Sequence, residues 1–270
     1  MLEDYVLNEM GFLMPIQPDF ELKTQYYFEY FDQSRKILFY QFKTKDSLEH
    51  SSMKAIPDGC MDIIFWCEKD TYHADICGSV LGSDFITLLS NTEYFGLRFM
   101  PTKNLNQVNY SIKEFVGKRI PLTDAIPSVH SPIEKIVSER EFSKRITLFN
   151  NLFYPQIFSI SDKPLIIKYV IEQIYKAKGN IRMRDLAEDT GFSTRYLRQL
   201  FDTHIGMSPK LFCRITRFQS SLHMLHTNKH SEKPNIIMDH GYFDQAHLIN
   251  DFKSFGYVSP NQYMKQLYSK

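Results

Sequence analysis

The stretch "GFSTRYLRQLF" at residues 191–201 joins a tight turn to a helix whose expected exposed face carries arginine and glutamine. Gly191 provides the backbone freedom that such a turn needs, and Ser193 is of a residue type preferred at a helix N-cap. Helices that only cover a core usually expose Glu and Lys, whereas Arg and Gln side chains make forked hydrogen bonds to base edges. The stretch therefore indicates a helix that contacts DNA, provided that its surroundings complete a suitable fold.

The preceding segment completes a helix-turn-helix. "MRDLAEDT" at 183–190 predicts a short helix that buries Leu186 and Ala187, and the small Ala187 lets the two helices approach each other. Three apolar residues are expected to anchor the second helix: Leu197, Leu200 and Phe201.

The same pattern returns fifty residues later, at Gly241, with Leu248 and Phe252 in the places of Leu197 and Phe201. Between the two units, "SPKLFCRITRFQSSLHMLH" at 208–226 predicts one longer amphipathic helix. Five residues are expected to face inward: Phe212, Ile215, Phe218, Leu222 and Leu225. Such a connecting helix can place two recognition helices in adjacent segments of the major groove, about 34 Å apart.

These segments resemble the DNA-binding domain of the AraC/XylS family of bacterial transcription regulators. The similarity is carried by "RDLAEDTGFSTRYLRQLFDTHIGMSPKLFCRITRFQ" at 184–219, "GYFDQAHLINDFK" at 241–253 and "VSPNQY" at 258–263. It implies double-stranded DNA as a partner and no enzymatic activity, with RNA polymerase as a further partner. The implied DNA-contacting residues are Ser193, Thr194, Arg195, Arg198, Gln199, Gln245, Ala246, His247 and Asn250. Arginine can form paired hydrogen bonds with guanine, and Gln199 or Asn250 can form them with adenine.

The second unit departs further from the family pattern than the first. Arg182 replaces the usual Ser or Thr cap of the first unit, but in the second unit Ile237 replaces a small residue and the final glycine is shifted to Gly256. From Lys178 to His226 there are 8 basic and 4 acidic residues, against 5 and 4 from residue 229 onward. Since affinity follows phosphate neutralisation, we expect the first unit to dominate binding and the second to add discrimination or orientation.

Charge also divides the chain into two parts. From Lys163 onward there are 16 Lys and Arg against 9 Asp and Glu, whereas the preceding part has 16 against 22. A basic part joined to an acidic one is typical of a domain that meets a polyanion beside one that does not. We predict a β-rich sensory or dimerisation domain at 1–130, a helical linker or dimerisation helix at 131–162, and the DNA-binding domain at 163–270. The amphipathic 133–153 stretch is equally well explained as a strut packed on its own domain, and a homodimer is favoured over a monomer.

The N-terminal part has the pattern of short strands separated by turns. "KAIPDGCMDIIFWCEKD" at 54–70 and "DFITLLSNTEYFGLRFMP" at 84–101 are rich in β-branched and aromatic residues. They predict a sandwich or small barrel with flanking helices, which makes the chain an α+β protein of two domains. With "FVGKRIPLTDAI" at 115–126, these segments also resemble the cupin-like N-terminal domain of one AraC-type subgroup.

Four polar residues in these motifs are candidate effector ligands: Asp58, Cys60, Asp62 and Arg98. Asp62 and Arg98 could form the floor of a pocket, and the alternative is a turn aspartate with a strand-end salt bridge. A metal-dependent cupin needs clustered His and Glu ligands, whereas His50, His73 and His130 stand alone. We therefore predict no metal and no cofactor, and catalysis by this domain is the least favoured alternative.

Composition limits the remaining possibilities. The 270 residues are 43% hydrophobic and 23% charged, and no apolar run approaches the roughly 18 residues of a membrane span. The acidic start lacks the basic region of an export signal, and the four cysteines show no CxxC or zinc spacing, which predicts a cytoplasmic protein without a membrane partner. We expect a DNA-binding regulator that senses a small molecule or dimerises through its N-terminal domain; the alternative is a ligand-independent regulator whose first domain oligomerises or binds a protein.

Overall fold

The computed structural model has a β-rich N-terminal part followed by an all-helical C-terminal part, which confirms the predicted α+β order. The structure describes residues 14–46, 51–68, 71–103, 105, 108–158, 163–227, 241–256 and 258–268. The positions of His50 and Ile237, and the end of the predicted linker at 159–162, lie outside these residues.

The strands form two antiparallel sheets. The larger has, in spatial order, β1 (Thr24–Asp32), β2 (Ile37–Thr44), β7 (Glu93–Phe99), β4 (Met61–Glu68), β5 (Thr71–Cys77) and β8 (Arg119–Pro121). The smaller pairs β3 (Ser51–Ala55) with β6 (Asp84–Leu88). Strands β2 and β7 are buried along nearly their whole length because both faces of the larger sheet are covered, so their sequences are apolar runs rather than alternating patterns.

One face of the larger sheet packs against the smaller sheet and against helix α1 (Pro18–Lys23). The residues buried between them are Phe20, Tyr40, Phe42, Met53, Ile64, Leu88 and Tyr94. The two sheets therefore face each other across an apolar layer, as the sandwich form of the prediction requires.

Helices cover the opposite face. They are α2 (Ile112–Phe115), α3 (Leu122–Ala125), α4 (His130–Ser138), α5 (Phe142–Leu148) and α6 (Tyr154–Ile157), with a π-helical turn at Phe149–Phe153. The ring of Phe149 lies 5.5 Å from that of Phe39, and the ring of Phe153 lies 5.4 Å from that of Phe65. The described residues of the predicted helical linker at 131–162 are largely helical, and their apolar side chains form part of the N-terminal core, as in the strut alternative; a role in linking or dimerisation stays a prediction.

A buried arginine fastens these helices to the sheet. Arg145 is only 1% exposed, and its Nη1 lies 2.6 Å from Glu93 Oε1 and 2.7 Å from Gln41 Oε1. Its Nε also donates a hydrogen bond to the carbonyl oxygen of Ile136 at 3.3 Å. The guanidinium therefore joins α5 to β2, to β7 and to the end of α4.

The described residues of the C-terminal part form helices around a second core, which also includes Ile56 of the N-terminal part. The helices are α7 (Leu165–Lys176), α8 (Met183–Thr190), α9 (Thr194–Ile205), α10 (Pro209–Thr227), α11 (Gln245–Gly256) and α12 (Pro260–Tyr268). All five residues expected to face inward from α10 are buried, whereas Ala187 is only half-buried. Within the described ranges, no helix is both long and apolar enough to cross a membrane.

Candidate nucleic-acid interface and effector pocket

The first helix-turn-helix is built as its sequence predicts. Gly191 ends α8 in the left-handed conformation with φ of +70°, and Ser193 Oγ accepts a hydrogen bond from the backbone N–H of Tyr196 at 3.2 Å. Leu197 and Phe201 are completely buried. Because these two anchors fix the rotation of α9 about its axis, they also determine which side chains face outward.

The outward face of α9 carries the side chains predicted to contact bases. Arg195, Arg198 and Gln199 are exposed, as is the cap residue Ser193, and Thr194 is half-buried. Residues three apart on a helix share a face, so the two arginines point in similar directions. Neither guanidinium forms an ion pair or hydrogen bond with any part of the chain that the structure describes. Both are therefore available to a ligand.

The second recognition helix, α11, is capped by Asp244, a residue that the sequence interpretation missed. Its Oδ1 accepts a hydrogen bond from the backbone N–H of His247 at 2.7 Å, so Asp244 plays the part of Ser193 in the first unit. The sequence did contain a signal for this cap, since Asp is a common N-cap residue. The second unit has one more residue between its glycine and its cap than the first unit has.

The four predicted contact residues of α11 are not equivalent. Gln245, Ala246 and Asn250 are exposed, but His247 is half-buried. The His247 Nε2 atom lies 3.4 Å from Arg217 Nη1 of α10 and 3.9 Å from Asp251 Oδ2. The first three side chains face solvent, whereas His247 also contacts the connecting helix.

Two arginines of α10 contact the segment before the first unit and the second unit. Arg214 Nη2 lies 2.8 Å from Oδ1 of the buried Asp251 on α11. Arg217 lies over the Tyr242 ring of the second unit, at 5.4 Å from its centre, and donates a hydrogen bond to the carbonyl oxygen of Gly179 at 3.2 Å. Polar contacts therefore connect α10 both to the segment before the first unit and to the second recognition helix.

In the N-terminal domain, the four candidate effector residues come together. Asp62 and Arg98 are directly paired across β4 and β7, and Arg98 donates to both Asp62 oxygens at 2.8 and 2.7 Å. Arg98 Nη1 also lies 3.2 Å from Asp58 Oδ2, while Asp58 Oδ1 accepts a hydrogen bond from the backbone N–H of Cys60 at 2.9 Å. The salt bridge of the second interpretation is therefore present, and the role of these residues as effector ligands stays a prediction.

This cluster lines a cavity of about 120 Å³. Its apolar walls include Phe20, Ile56, Ile64, Val80 and Ile86. Burial raises the pKa of the Asp62 carboxyl despite the neighbouring Arg98 guanidinium. Burial also raises the pKa of the Cys60 thiol well above its ordinary value, so Cys60 is a packed thiol rather than a reactive thiolate.

Two glutamines that sequence analysis did not single out form hydrogen bonds with residues 56–58 beside the cavity, and one of them, Gln219, belongs to the helix-turn-helix domain. Gln17 Nε2 donates to Asp58 Oδ2 at 2.9 Å and to the carbonyl oxygen of Ile56 at 2.7 Å. Gln219 of α10 is 2% exposed; its Nε2 donates to the carbonyl oxygen of Pro57 at 2.8 Å, and its Oε1 accepts from the backbone N–H of Ile16 at 2.9 Å. The loop that carries Asp58 is thus hydrogen-bonded to Arg98 on one side and to α10 on the other. Gln219 could have been noticed, because it lies four residues after Ile215 beside the apolar stripe.

A buried lysine at the start of the C-terminal domain gives a pH-dependent prediction. Lys163 donates a hydrogen bond to the carbonyl oxygen of His204, and burial lowers its pKa from 10.5 to about 8. Between these two pH values the unfolded chain binds more protons than the folded chain, so stability rises with pH across that window. We expect wild type to gain about 2–3 kcal/mol of unfolding free energy relative to Lys163→Met between pH 7.5 and 10. Urea titrations of both proteins test this, and parallel pH profiles would contradict it.

Two family models match separate parts of the chain. Residues 186–266 match the family model described as "Helix-turn-helix domain", and residues 36–121 match one described as "Domain of unknown function (DUF6597)". An uncharacterised HTH-type transcriptional regulator of Haemophilus influenzae is 31% identical over 111 residues, which are 41% of this chain and 37% of the relative. The XylDLEGF operon transcriptional activator of Pseudomonas putida is 23% identical over 177 residues, 63% of this chain and 53% of the relative. The chain thus spans about a third to a half of the length of these relatives.

Among solved structures, ToxT from Vibrio cholerae is similar with a TM-score of 0.51 and 12% identity, over 86% of this chain and 99% of that chain. At this identity the similarity concerns the fold alone. It covers both the β-rich and the helical part, in the same order along the chain.

Proposed function

We propose that the chain carries a helix-turn-helix domain of the AraC/XylS type and that it is a transcription regulator that binds double-stranded DNA in a sequence-specific way. The observation that carries the proposal is the face of α9, where Arg195 and Arg198 are exposed without intramolecular partners among the described residues, on a helix anchored from behind. Forked hydrogen bonds from these side chains to guanine would supply specificity. The exposed Asn250 on α11 would add a second base contact.

We further propose that the N-terminal domain senses a small molecule in the cavity above Asp58, Asp62 and Arg98. The hydrogen bond from Gln219 to the carbonyl oxygen of Pro57 supports this, since a change in the cavity floor would alter how α10 packs on the N-terminal domain. Regulation follows only if the ligand binds two arrangements of the domains with different affinity. No catalytic role is assigned to this domain. We also propose that the protein forms a homodimer and contacts RNA polymerase.

Selection of binding sites from a random DNA library by the full chain tests the DNA-binding proposal. Enrichment of one motif at moderate salt is the expected result. Selection in cell extract supplies any missing effector, and failure to enrich a motif under both conditions would contradict sequence-specific binding. Thermal-shift screening distinguishes effector sensing from the ligand-independent alternative, because an effector at a concentration above its dissociation constant must raise the melting temperature.

The two units should contribute unequally to affinity. We expect Arg198→Ala to weaken binding to the selected site more than Asn250→Ala does, because the first unit carries the larger excess of basic residues. Fluorescence anisotropy with labelled duplex measures both losses under the same salt conditions. A greater loss for Asn250→Ala would show that the second unit dominates.

A further inference from the structure

We propose that the cavity above Asp58, Asp62 and Arg98 takes a compact organic amine, bound as its ammonium ion. This inference rests on the effector part of the proposed function and specifies the chemical class of the ligand. It excludes carboxylates as the preferred class.

The first argument is the charge of the cavity floor. Two carboxylates share one guanidinium, and the exposed fractions of the three side chains are 7% for Asp58, 14% for Asp62 and 9% for Arg98. The other groups bonded to the carboxylates are neutral donors: the Tyr40 hydroxyl on Asp62, and the Gln17 amide and Cys60 N–H on Asp58. The floor therefore carries one net negative charge in a low-dielectric place, which a bound cation would compensate.

The second argument is unused acceptor capacity. A carboxylate oxygen can accept two hydrogen bonds. Within the described part of the chain, Asp62 Oδ1 accepts only from Arg98 Nε and Asp58 Oδ1 only from the backbone N–H of Cys60. An ammonium group has three donors and no acceptor, so it matches the oxygens that remain.

The charged residues at the mouth of the cavity do not reverse the preference for a cation. Lys118 and Arg119 lie at the rim, but so does Asp84. Arg119 is already paired with Asp75, and its guanidinium lies 4.8 Å from the centre of the Trp66 ring. The rim therefore carries charges of both signs, and one of its two cations is already engaged.

The volume and the lining of the cavity restrict the part of the ligand that is attached to the ammonium group. A cavity of roughly 150 Å³ accommodates benzene, so the 120 Å³ here suits a molecule of about five or six non-hydrogen atoms. The walls are aliphatic and aromatic, which favours a short hydrocarbon body attached to the amine.

The test uses n-butylamine, n-butanol and butyrate, which share a hydrocarbon chain and differ in the head group. Binding to the full chain is measured by isothermal titration calorimetry and by the shift in melting temperature. We expect butylamine to bind at least about tenfold more tightly than butanol, and butyrate to bind more weakly than either. Equal binding of amine and alcohol, tighter binding of butyrate, or no binding of butylamine up to high millimolar concentration would overturn the proposal.

Three variants locate the site. Asp62→Asn should reduce butylamine affinity at least tenfold, and Glu134→Gln, the same charge change on the exposed side of α4, should not. Val80→Phe fills the cavity without changing its charge, so it should abolish binding even if the asparagine variant is poorly folded. Butylamine binding that survives both Asp62→Asn and Val80→Phe would place the amine elsewhere and overturn the proposal. DNA binding is measured separately without ligand, so failure of the ligand class and failure of the regulator function give different results.

Discussion

Replacing Gly179 by alanine is expected to lower the free energy of unfolding by about 2–5 kcal/mol. Gly179 follows α7 with φ of +75°, and its backbone N–H closes the end of that helix on the carbonyl oxygen of Ile174 at 2.8 Å. A Cβ atom there would lie 2.1 Å from the carbonyl oxygen of Cys213 and 2.8 Å from the backbone nitrogen of Arg217. Both are backbone atoms of α10 and cannot rotate away, so the two helices would have to separate.

Gly191→Ala is the matched control. Gly191 has a similar φ of +70° at the turn of the first helix-turn-helix, but a Cβ atom there would meet nothing within 4 Å. Only the left-handed backbone is then penalised, at about 1–2 kcal/mol. Urea denaturation followed by circular dichroism measures both variants. Equal losses would mean that α7 and α10 are less closely packed than the structure shows.

The helical half was predictable because its signals are local. The stripe from Phe212 to Leu225 gives the buried face of α10, and the Gly191 turn followed by the Ser193 cap gives the start of α9. Helix periodicity and capping depend on residues within a few positions of each other, so a single sequence contains them. The exposed face of the first recognition helix follows from the same signals.

The arrangement of distant segments was not predictable in the same way. An amphipathic pattern at 133–153 predicts a buried face but does not say what covers it, and the structure places it against the sheet. The close approach of Gly179 to α10 and the hydrogen bond from Gln219 to Pro57 depend on tertiary packing. Asp58, Asp62 and Arg98 were all singled out by motif, but the two carboxylates meet Arg98 only because β4 and β7 are neighbours in the sheet.

Replacing Arg195 and Arg198 together by alanine should weaken binding to the selected DNA site by about 2–6 kcal/mol, because each forked contact to guanine contributes about 1–3 kcal/mol. This corresponds to an affinity loss of about 30-fold to 10⁴-fold. Both side chains are exposed on α9, so their removal leaves the buried anchors Leu197 and Phe201 in place. The free energy of unfolding should change by less than about 0.5 kcal/mol, as is usual for surface substitutions.

The salt dependence of binding decides whether these arginines contact bases or phosphates. If they contact bases, the double variant loses affinity for the selected site but much less for unrelated duplex, and the slope of log affinity against log salt changes little. If they contact phosphates, affinity falls similarly on both DNAs and the slope decreases by about 1 for each arginine. Arg140→Ala removes one positive charge from an exposed position in the N-terminal half and should leave both affinities unchanged. Comparable losses on the two DNAs would therefore move the specificity of this protein away from these two arginines, to Gln199 or to the exposed residues of α11.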